Sequence, residues 1–266
     1  MSAGQHAATS ERRLRFLCTN DDGVMAHGLD CLVRAAEPLG DVSVVAPDRE
    51  QSAASHALTM HHPLRAKRRA DGRTQVDGTP TDCVMLAVQA LMPERPDFVF
   101  SGINHGHNMG EDVLYSGTVA AAMEGIALGI PSVAISFASR DHGTDVHLVD
   151  SQTGAITNLL RHFVSLRDVP ANTVFNVNLP GVPGPEIKGV RLTRLGRRVF
   201  SDSLKRMRDP WDKEIYWIGG GTIAWSGGPD CDFRAVDEGY ISVTPLHLDL
   251  THFDMLSTGE RWWQKP

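Results

Sequence analysis

The sequence predicts an α/β chain: a three-layer α/β/α sandwich on a mostly parallel sheet, with a C-terminal extension rich in β-hairpins. Three observations carry this expectation. Up to about residue 180, β-branched runs alternate with segments of helical apolar spacing, the mark of repeated βα units. Turn-forming residues stand directly after several of the strand-like runs. After residue 190 the helical spacing stops, and short strand-like pieces follow, separated by glycine, proline and charge.

Arg15 to Thr19 is the first strand-like run, and it breaks at the turn formers Asn20-Asp21-Asp22-Gly23. Leu29, Leu32, Val33 and Ala36 then share one buried helical face, which ends near Pro38 and Gly40. Val42 to Ala46 has the β-branched content of a strand covered on both faces. Val84, Ala87, Val88 and Leu91 mark a second helix, with Thr81 as its N-cap after Pro80, and Phe98 to Ser101 the strand after it. Val119, Ala122, Met123 and Ile126 form a small-residue helical face, followed by the turn Gly129-Ile130-Pro131 and the strand Ser132 to Ser136. Leu159, Leu160, Phe163 and Val164 supply another helix, and Val174 to Leu179 another strand. Right-handed winding of these units makes residues 14–189 a Rossmann-like core.

Residues 1–13, MSAGQHAATSERR, are polar throughout and are expected to be a flexible tail rather than a secretion signal. Residues 190–266 are expected to form hairpins from Arg191 to Arg194, Ile215 to Ile218, Ile223 to Trp225 and Tyr240 to Thr244. Glycines 219 to 221, 227 and 228 point to a mobile loop there, and Phe200, Trp211, Tyr216, Trp217 and Trp225 to an oligomerisation region.

Composition narrows the function. The chain of 266 residues is 41% hydrophobic and 22% charged, ordinary for a globular fold. A net charge of -6 gives no basic excess for gripping polymeric nucleic acid. No apolar run approaches the roughly 18 residues of a membrane span, which predicts a soluble chain, and the polar N-terminus without a secretion signal makes the expected location cytoplasmic. Cys18, Cys31, Cys83 and Cys231 form no CxxC pair, which argues against a disulfide framework or a zinc knuckle.

The chemistry-bearing residues follow the strands. Asp21 and Asp22 come after the first, Ser52 a few residues past the second, and Asn104 just past Ser101. The winding gathers those loops at the carboxyl edge of the sheet, where open α/β proteins bind ligands. Two carboxylates, a hydroxyl and an amide carbonyl are hard oxygen donors suited to Mg²⁺, Mn²⁺ or Ca²⁺, with no His or Cys among them to favour zinc. Taken singly, each has a plainer reading as a turn or capping residue. The coincidence of three polar loops after three separate strands outweighs it.

Ser116-Gly117-Thr118 opens the helix through Met123, where free N–H groups and the positive end of the helix suit a phosphate. A simple N-cap by Ser116 or Thr118 is the alternative. The preceding residues 102–110 are rich in Gly and Asn, as expected where backbone approaches a ligand, but lack GxGxxG spacing. His105 and His107 stand at the rim, His107 within reach of a leaving group, and no HxxxH spacing occurs. Glu124, inside a small apolar helix, reads either as a solvated position or as a partner of the phosphate cradle.

With these segments in this order, the chain closely resembles the SurE (survival protein E) family of metal-dependent 5′-nucleotidases. The resemblance rests on TNDDG at Thr19 to Gly23, APDREQSAAS at Ala46 to Ser55, GTPTDCV at Gly78 to Val84, SGINHGHNMG at Ser101 to Gly110 and DVLYSGTVAAAMEG at Asp112 to Gly125. RLTRLGRR at Arg191 to Arg198, DF at Asp232 to Phe233 and GYISVTPL at Gly239 to Leu246 extend it. Gln51 and His107 depart from the usual pattern, in which the first is basic and the second small or proline.

The resemblance implies that Asp21, Asp22, Ser52 and Asn104 hold one divalent ion, Mg²⁺ or Mn²⁺. It also implies that Asn108, Ser116, Gly117 and Thr118 touch phosphate. Nucleoside monophosphates would be the substrates, with side activity on 3′-nucleotides and short polyphosphate, in a homodimer or homotetramer joined through the C-terminal hairpin. Asp21 or Asp22 would accept the water proton. A covalent route through Asp21 is disfavoured, because adjacent carboxylates lack the DxDx(T/V) spacing; Ser116 is the other candidate nucleophile. The rival reading is a non-catalytic nucleotide-binding or metabolite-sensing module, and a third is a structural assembly protein.

Overall fold

The computed structural model describes residues 12–138, 146–201, 204–218 and 222–259. Most of the expected tail, residues 1–11, lies outside the described residues, as do glycines 219 to 221 of the expected mobile loop.

Strand β1 (Leu14–Thr19) runs through the middle of the sheet with Phe16, Leu17 and Cys18 fully buried, because helices cover both of its faces. Helix α1 (His27–Ala36) lays Leu29, Leu32, Ala35 and Ala36 on the sheet, and β2 (Gly40–Pro47) returns parallel to β1. Two short strands that the apolar pattern does not signal follow, β3 (Ala66–Arg68) and β4 (Thr74–Val76). They form an antiparallel hairpin on the rim of the sheet, and β3 is wholly exposed Ala-Lys-Arg, a charged edge that discourages further strand pairing.

Helix α2 (Pro80–Leu86) corrects the expected cap. Thr79, not Thr81, accepts from the Asp82 N–H, while the Asp82 carboxylate accepts from the Thr79 N–H and Pro80 fills the first turn. The chain then widens into one π turn at Ala87–Leu91. Strand β5 (Phe98–His105) runs four residues past its expected end at Ser101, so Asn104 lies within the strand and not in the loop beyond it. Helix α3 (Gly117–Ala127), β6 (Ser132–Ala138), α4 (Val146–Ser151), α5 (Thr153–Ser165) and β7 (Thr173–Pro180) complete the alternation.

Beyond it come β8 (Val190–Leu192), β9 (Arg197–Ser201), β10 (Leu204–Arg208), β11 (Glu214–Ile218), β12 (Thr222–Ser226), α6 (Asp232–Asp237), β13 (Ile241–His247) and α7 (Phe253–Thr258). Strands β10 and β11 form one antiparallel ladder, and β9 and β12 another. Two of the pieces expected in hairpins instead join the main sheet: β13 pairs antiparallel with β7, and β8 parallel with β13.

Among the described residues the main sheet has nine strands in the order β3-β4-β2-β1-β5-β6-β7-β13-β8. Helices α1 and α5 pack on one face and α2 and α3 on the other, each over its own apolar cluster. From β1 the chain steps outward to β2, then crosses back to place β5 on the other side of β1. That reversal leaves a crevice at the carboxyl ends of β1 and β5, the usual ligand position in such sheets. Among the described residues no helix is long and apolar enough to cross a membrane.

Candidate active site

Asp21 and Asp22 leave β1 at this crevice, in a turn tied by the Asn20 amide, which donates to the Gly23 carbonyl at 3.0 Å. Asp21 is buried and accepts from the Thr118 hydroxyl at the start of α3. Asp22 accepts from the His105 N–H at the end of β5, at 3.1 Å. The pair thereby joins three elements distant in sequence. Asn104, one residue before His105, turns its amide NH₂ to the Gly106 carbonyl at 2.9 Å, which leaves its side-chain oxygen as the remaining acceptor.

Ser52 arrives on the loop after β2. The Gln51 N–H donates to the Asp21 carbonyl at 2.8 Å, Ser55 N–H to the Tyr115 carbonyl at 3.2 Å, and the Ser55 hydroxyl to the Leu114 carbonyl at 2.8 Å. The loop thus bridges Asp21 and the segment before α3. The Ser52 hydroxyl itself is exposed and donates to Glu50 at 2.6 Å. Glu50, which the sequence reading did not single out, adds a third negative charge near both aspartates.

Burial drives Asp21 above the ordinary carboxylate range despite the Thr118 hydrogen bond. Burial and then the Asp21 charge push Asp22 up to about 7. The hydrogen bonds that reach the two groups come from neutral donors, Thr118 and the His105 amide. This is a concentration of hard, mutually repelling oxygens, and a divalent cation fits that donor set.

The Ser116-Gly117-Thr118 segment divides its work. Ser116 is the N-cap of α3, accepting from the Val119 N–H at 3.0 Å, while the Thr118 hydroxyl is turned to Asp21. Gly117 lies against Asp21 so closely that a Cβ there would sit 2.8 Å from the Asp21 Cβ. Only glycine lets the start of the helix touch the carboxylate. Gly102, at φ +134° in β5, plays a similar part, since a Cβ would meet the Ile135 carbonyl oxygen at 2.1 Å.

Asn108 is buried, and its side-chain amide donates to the Ser136 hydroxyl at 2.7 Å. Its N–H donates to Asn178, and its carbonyl accepts from Asn176 and Asn178. Sequence reasoning missed Ser136, Asn176 and Asn178; their only signal was polar residues inside otherwise apolar strands. Glu124 resolves as a partner of the loop after β2, with His56 Nε2 3.0 Å from its carboxylate. His107 Nε2 lies 3.5 Å from Asp112, with its ring edge-on to Trp225.

Residues 16–202 match the family described as survival protein SurE. The chain belongs to the SurE family. It is 67% identical over 253 residues to the 5′-nucleotidase SurE of Gemmatimonas aurantiaca, a match covering 95% of this chain and 100% of that one. It is also 46% identical over 255 residues to the 5′/3′-nucleotidase SurE of Proteus mirabilis, covering 95% and 97%. The crystal structure of the SurE protein from Aquifex aeolicus superposes with a TM-score of 0.81 at 38% identity, over 94% of this chain and 100% of that one. The doubly wound sheet with its β1/β5 crevice is therefore a SurE-family fold.

Proposed function

We propose that this SurE-family chain is a phosphomonoesterase that hydrolyses nucleoside 5′-monophosphates to nucleoside and phosphate with one divalent ion, Mg²⁺ or Mn²⁺. The observation that carries the reading is the meeting of Asp21, next to Asp22, with the start of α3, which sets a cation-demanding pair beside an anion-accepting helix end. The names of the Gemmatimonas and Proteus relatives support it, and the second extends the reading to 3′-nucleotides. Short polyphosphate is a further substrate class.

In this reading Asp21, Asp22, Ser52 and Asn104 hold the ion. A bound divalent ion supplies Lewis acidity toward a phosphoryl oxygen and lowers the pKa of water. Ser116, Gly117 and Thr118 set the amino end of α3 against the phosphate, so its N–H groups offset charge that grows in the transition state. Asn108, fixed by Ser136, Asn176 and Asn178, holds the adjoining loop to the same anion. Asp21 and Asp22 are the acceptors for the water proton.

A sensing module without turnover is not favoured, since paired carboxylates repel a phosphate unless a cation intervenes. Residues 190–266 are proposed to join copies into a homodimer or homotetramer. Supporting this, Leu204, Met207, Tyr216, Trp217 and Ile218 stand exposed on the β10/β11 ladder. The four unpaired, buried cysteines support a cytoplasmic location. Phosphate release from a panel of 5′- and 3′-nucleotides, with Mn²⁺, with Mg²⁺ and with excess chelator, tests the activity. Equal release with and without chelator, or none from any nucleotide, overturns it.

A further inference from the structure

Where α1 meets α4, three side chains converge that the proposed chemistry does not use. His27 and Cys31 are one turn apart on α1, and Asp150 comes from α4. Their ligand atoms form a nearly equilateral triangle. His27 Nε2 and Cys31 Sγ are 3.3 Å apart, Cys31 Sγ and Asp150 Oδ1 3.2 Å, and His27 Nε2 and Asp150 Oδ1 3.2 Å.

A tetrahedral ion with bonds of about 2.0 Å to nitrogen and oxygen and about 2.3 Å to sulfur spaces its ligands by about 3.3–3.6 Å. The observed triangle reaches that size by opening a few tenths of an ångström. We propose that His27, Cys31 and Asp150 form a second metal site, selective for zinc-like ions over Mg²⁺ and Mn²⁺. Thiolate and imidazole set the selectivity, being soft and borderline donors where the Asp21 and Asp22 site offers oxygen alone.

The same geometry shows what holds the triangle together without metal. The Arg34 guanidinium donates to both Cys31 Sγ and the Asp150 carboxylate, standing in for a cation. Arg34 is more than half exposed, so it can turn out into water when an ion enters. In the metal-free chain the Cys31 thiol donates to the Asp150 carboxylate, so the group is S–H. Ion entry forms a metal–sulfur bond and breaks S–H, and that proton leaves to solvent.

The HxxxC spacing at His27 and Cys31 escapes a search for HxxxH, and Asp150 is 119 residues from Cys31, so only the tertiary contact reveals the set. A cavity of about 190 Å³ lined by His27, Asp22 and Asn104 adjoins it, so the two sites must be separated experimentally. Cobalt(II) serves as the probe, because a cysteine thiolate ligand gives it a near-ultraviolet charge-transfer band that oxygen ligands do not.

In the full-length metal-stripped chain, Co²⁺ is expected to produce this band, and Zn²⁺ to bleach it at one equivalent. The band should persist in Asp22→Asn and disappear in Cys31→Ser and in His27→Gln, the second variant guarding against misfolding of the first. Arg34→Ala should tighten Zn²⁺ binding several-fold, since the competing guanidinium is gone. No band in the wild-type chain, a band that survives both ligand variants, or weaker zinc binding in Arg34→Ala overturns the assignment. Because the readout is a thiolate spectrum, loss of nucleotidase activity in Asp22→Asn neither supports nor harms it.

Discussion

Replacing Asp22 by Asn is expected to move activity and metal-free stability in opposite directions. Burial, then the Asp21 charge, push Asp22 up to about 7 in the folded chain, against about 3.9 for an unfolded aspartate. At pH 8 the folded state therefore carries a carboxylate it holds less comfortably than the unfolded chain does. Each tenfold difference in proton affinity is worth about 1.4 kcal/mol, and coupling to Asp21 and partial exposure leave a net penalty of about 1–3 kcal/mol. The sign follows from linkage: the penalty is fully present above about 7 and fades as pH falls through that value toward the unfolded pKa.

The amide introduced by Asp22→Asn is neutral, and its oxygen can still accept the His105 N–H. In chelator at pH 8 the variant should melt about 3–10 °C higher than wild type, and the gap should narrow through about pH 7 and close only near about pH 4, where an unfolded aspartate also takes up its proton. Saturating Mn²⁺ at about 100 times its Kd should stabilise wild type by about 2.7 kcal/mol and the variant far less. Metal-dependent phosphate release should fall on the order of 100-fold or more. The assays are calorimetric melts across pH with and without Mn²⁺, beside phosphate release. A variant no more stable than wild type in chelator at pH 8, or one with the same Mn²⁺-induced shift, refutes the reasoning.

Gly117→Ala puts a methyl 2.8 Å from the Asp21 Cβ; the displacement should cost about 1–3 kcal/mol and weaken Mn²⁺ binding about tenfold by titration calorimetry, and unchanged affinity would show that the contact does not position Asp21. Asp232 accepts the N–H groups of Gly110, Gly196 and Phe233, joining the C-terminal region to the loop beside the site. Asp232→Ala strands three buried donors, so Tm should drop by at least about 6 °C; a smaller loss would mean that water replaces the carboxylate. The paired change Trp217→Glu and Ile218→Glu, exposed on opposite faces of β11, should lower the mass seen by light scattering to that of one chain while Mn²⁺ still binds. An unchanged mass would place the interface elsewhere.

The strand-and-helix alternation up to residue 180 was legible because each unit buries a local apolar pattern, and period alone separates helix from strand. Asp21, Asp22 and Ser52 were legible for the same reason, since each follows a readable strand, whereas Asn104 sits inside β5, which runs past its readable part. Signals that depend on partners were not. The cap of α2 was misplaced by two residues because Thr79 and Thr81 both suit the role, and Asp82 reaching back to Thr79 decides between them. Strand β3 was missed because a rim strand of Ala-Lys-Arg has no apolar face to display. Strands β8 and β13 read correctly as strands, but joining the main sheet depends on β13 pairing with β7 across some 60 residues of chain and on β8 then pairing with β13.

The sequence by itself determined the layered α/β class, the carboxyl-edge loops and the oxygen-rich character of what they carry, since composition and spacing are local properties. Tertiary structure alone decided that Thr118 faces Asp21, that Asn108 is gripped by three strand residues, and that His27 and Cys31 meet Asp150. Those relations depend on distances between segments far apart in the chain, and a linear pattern carries no record of such distances until burial of the shared core fixes them.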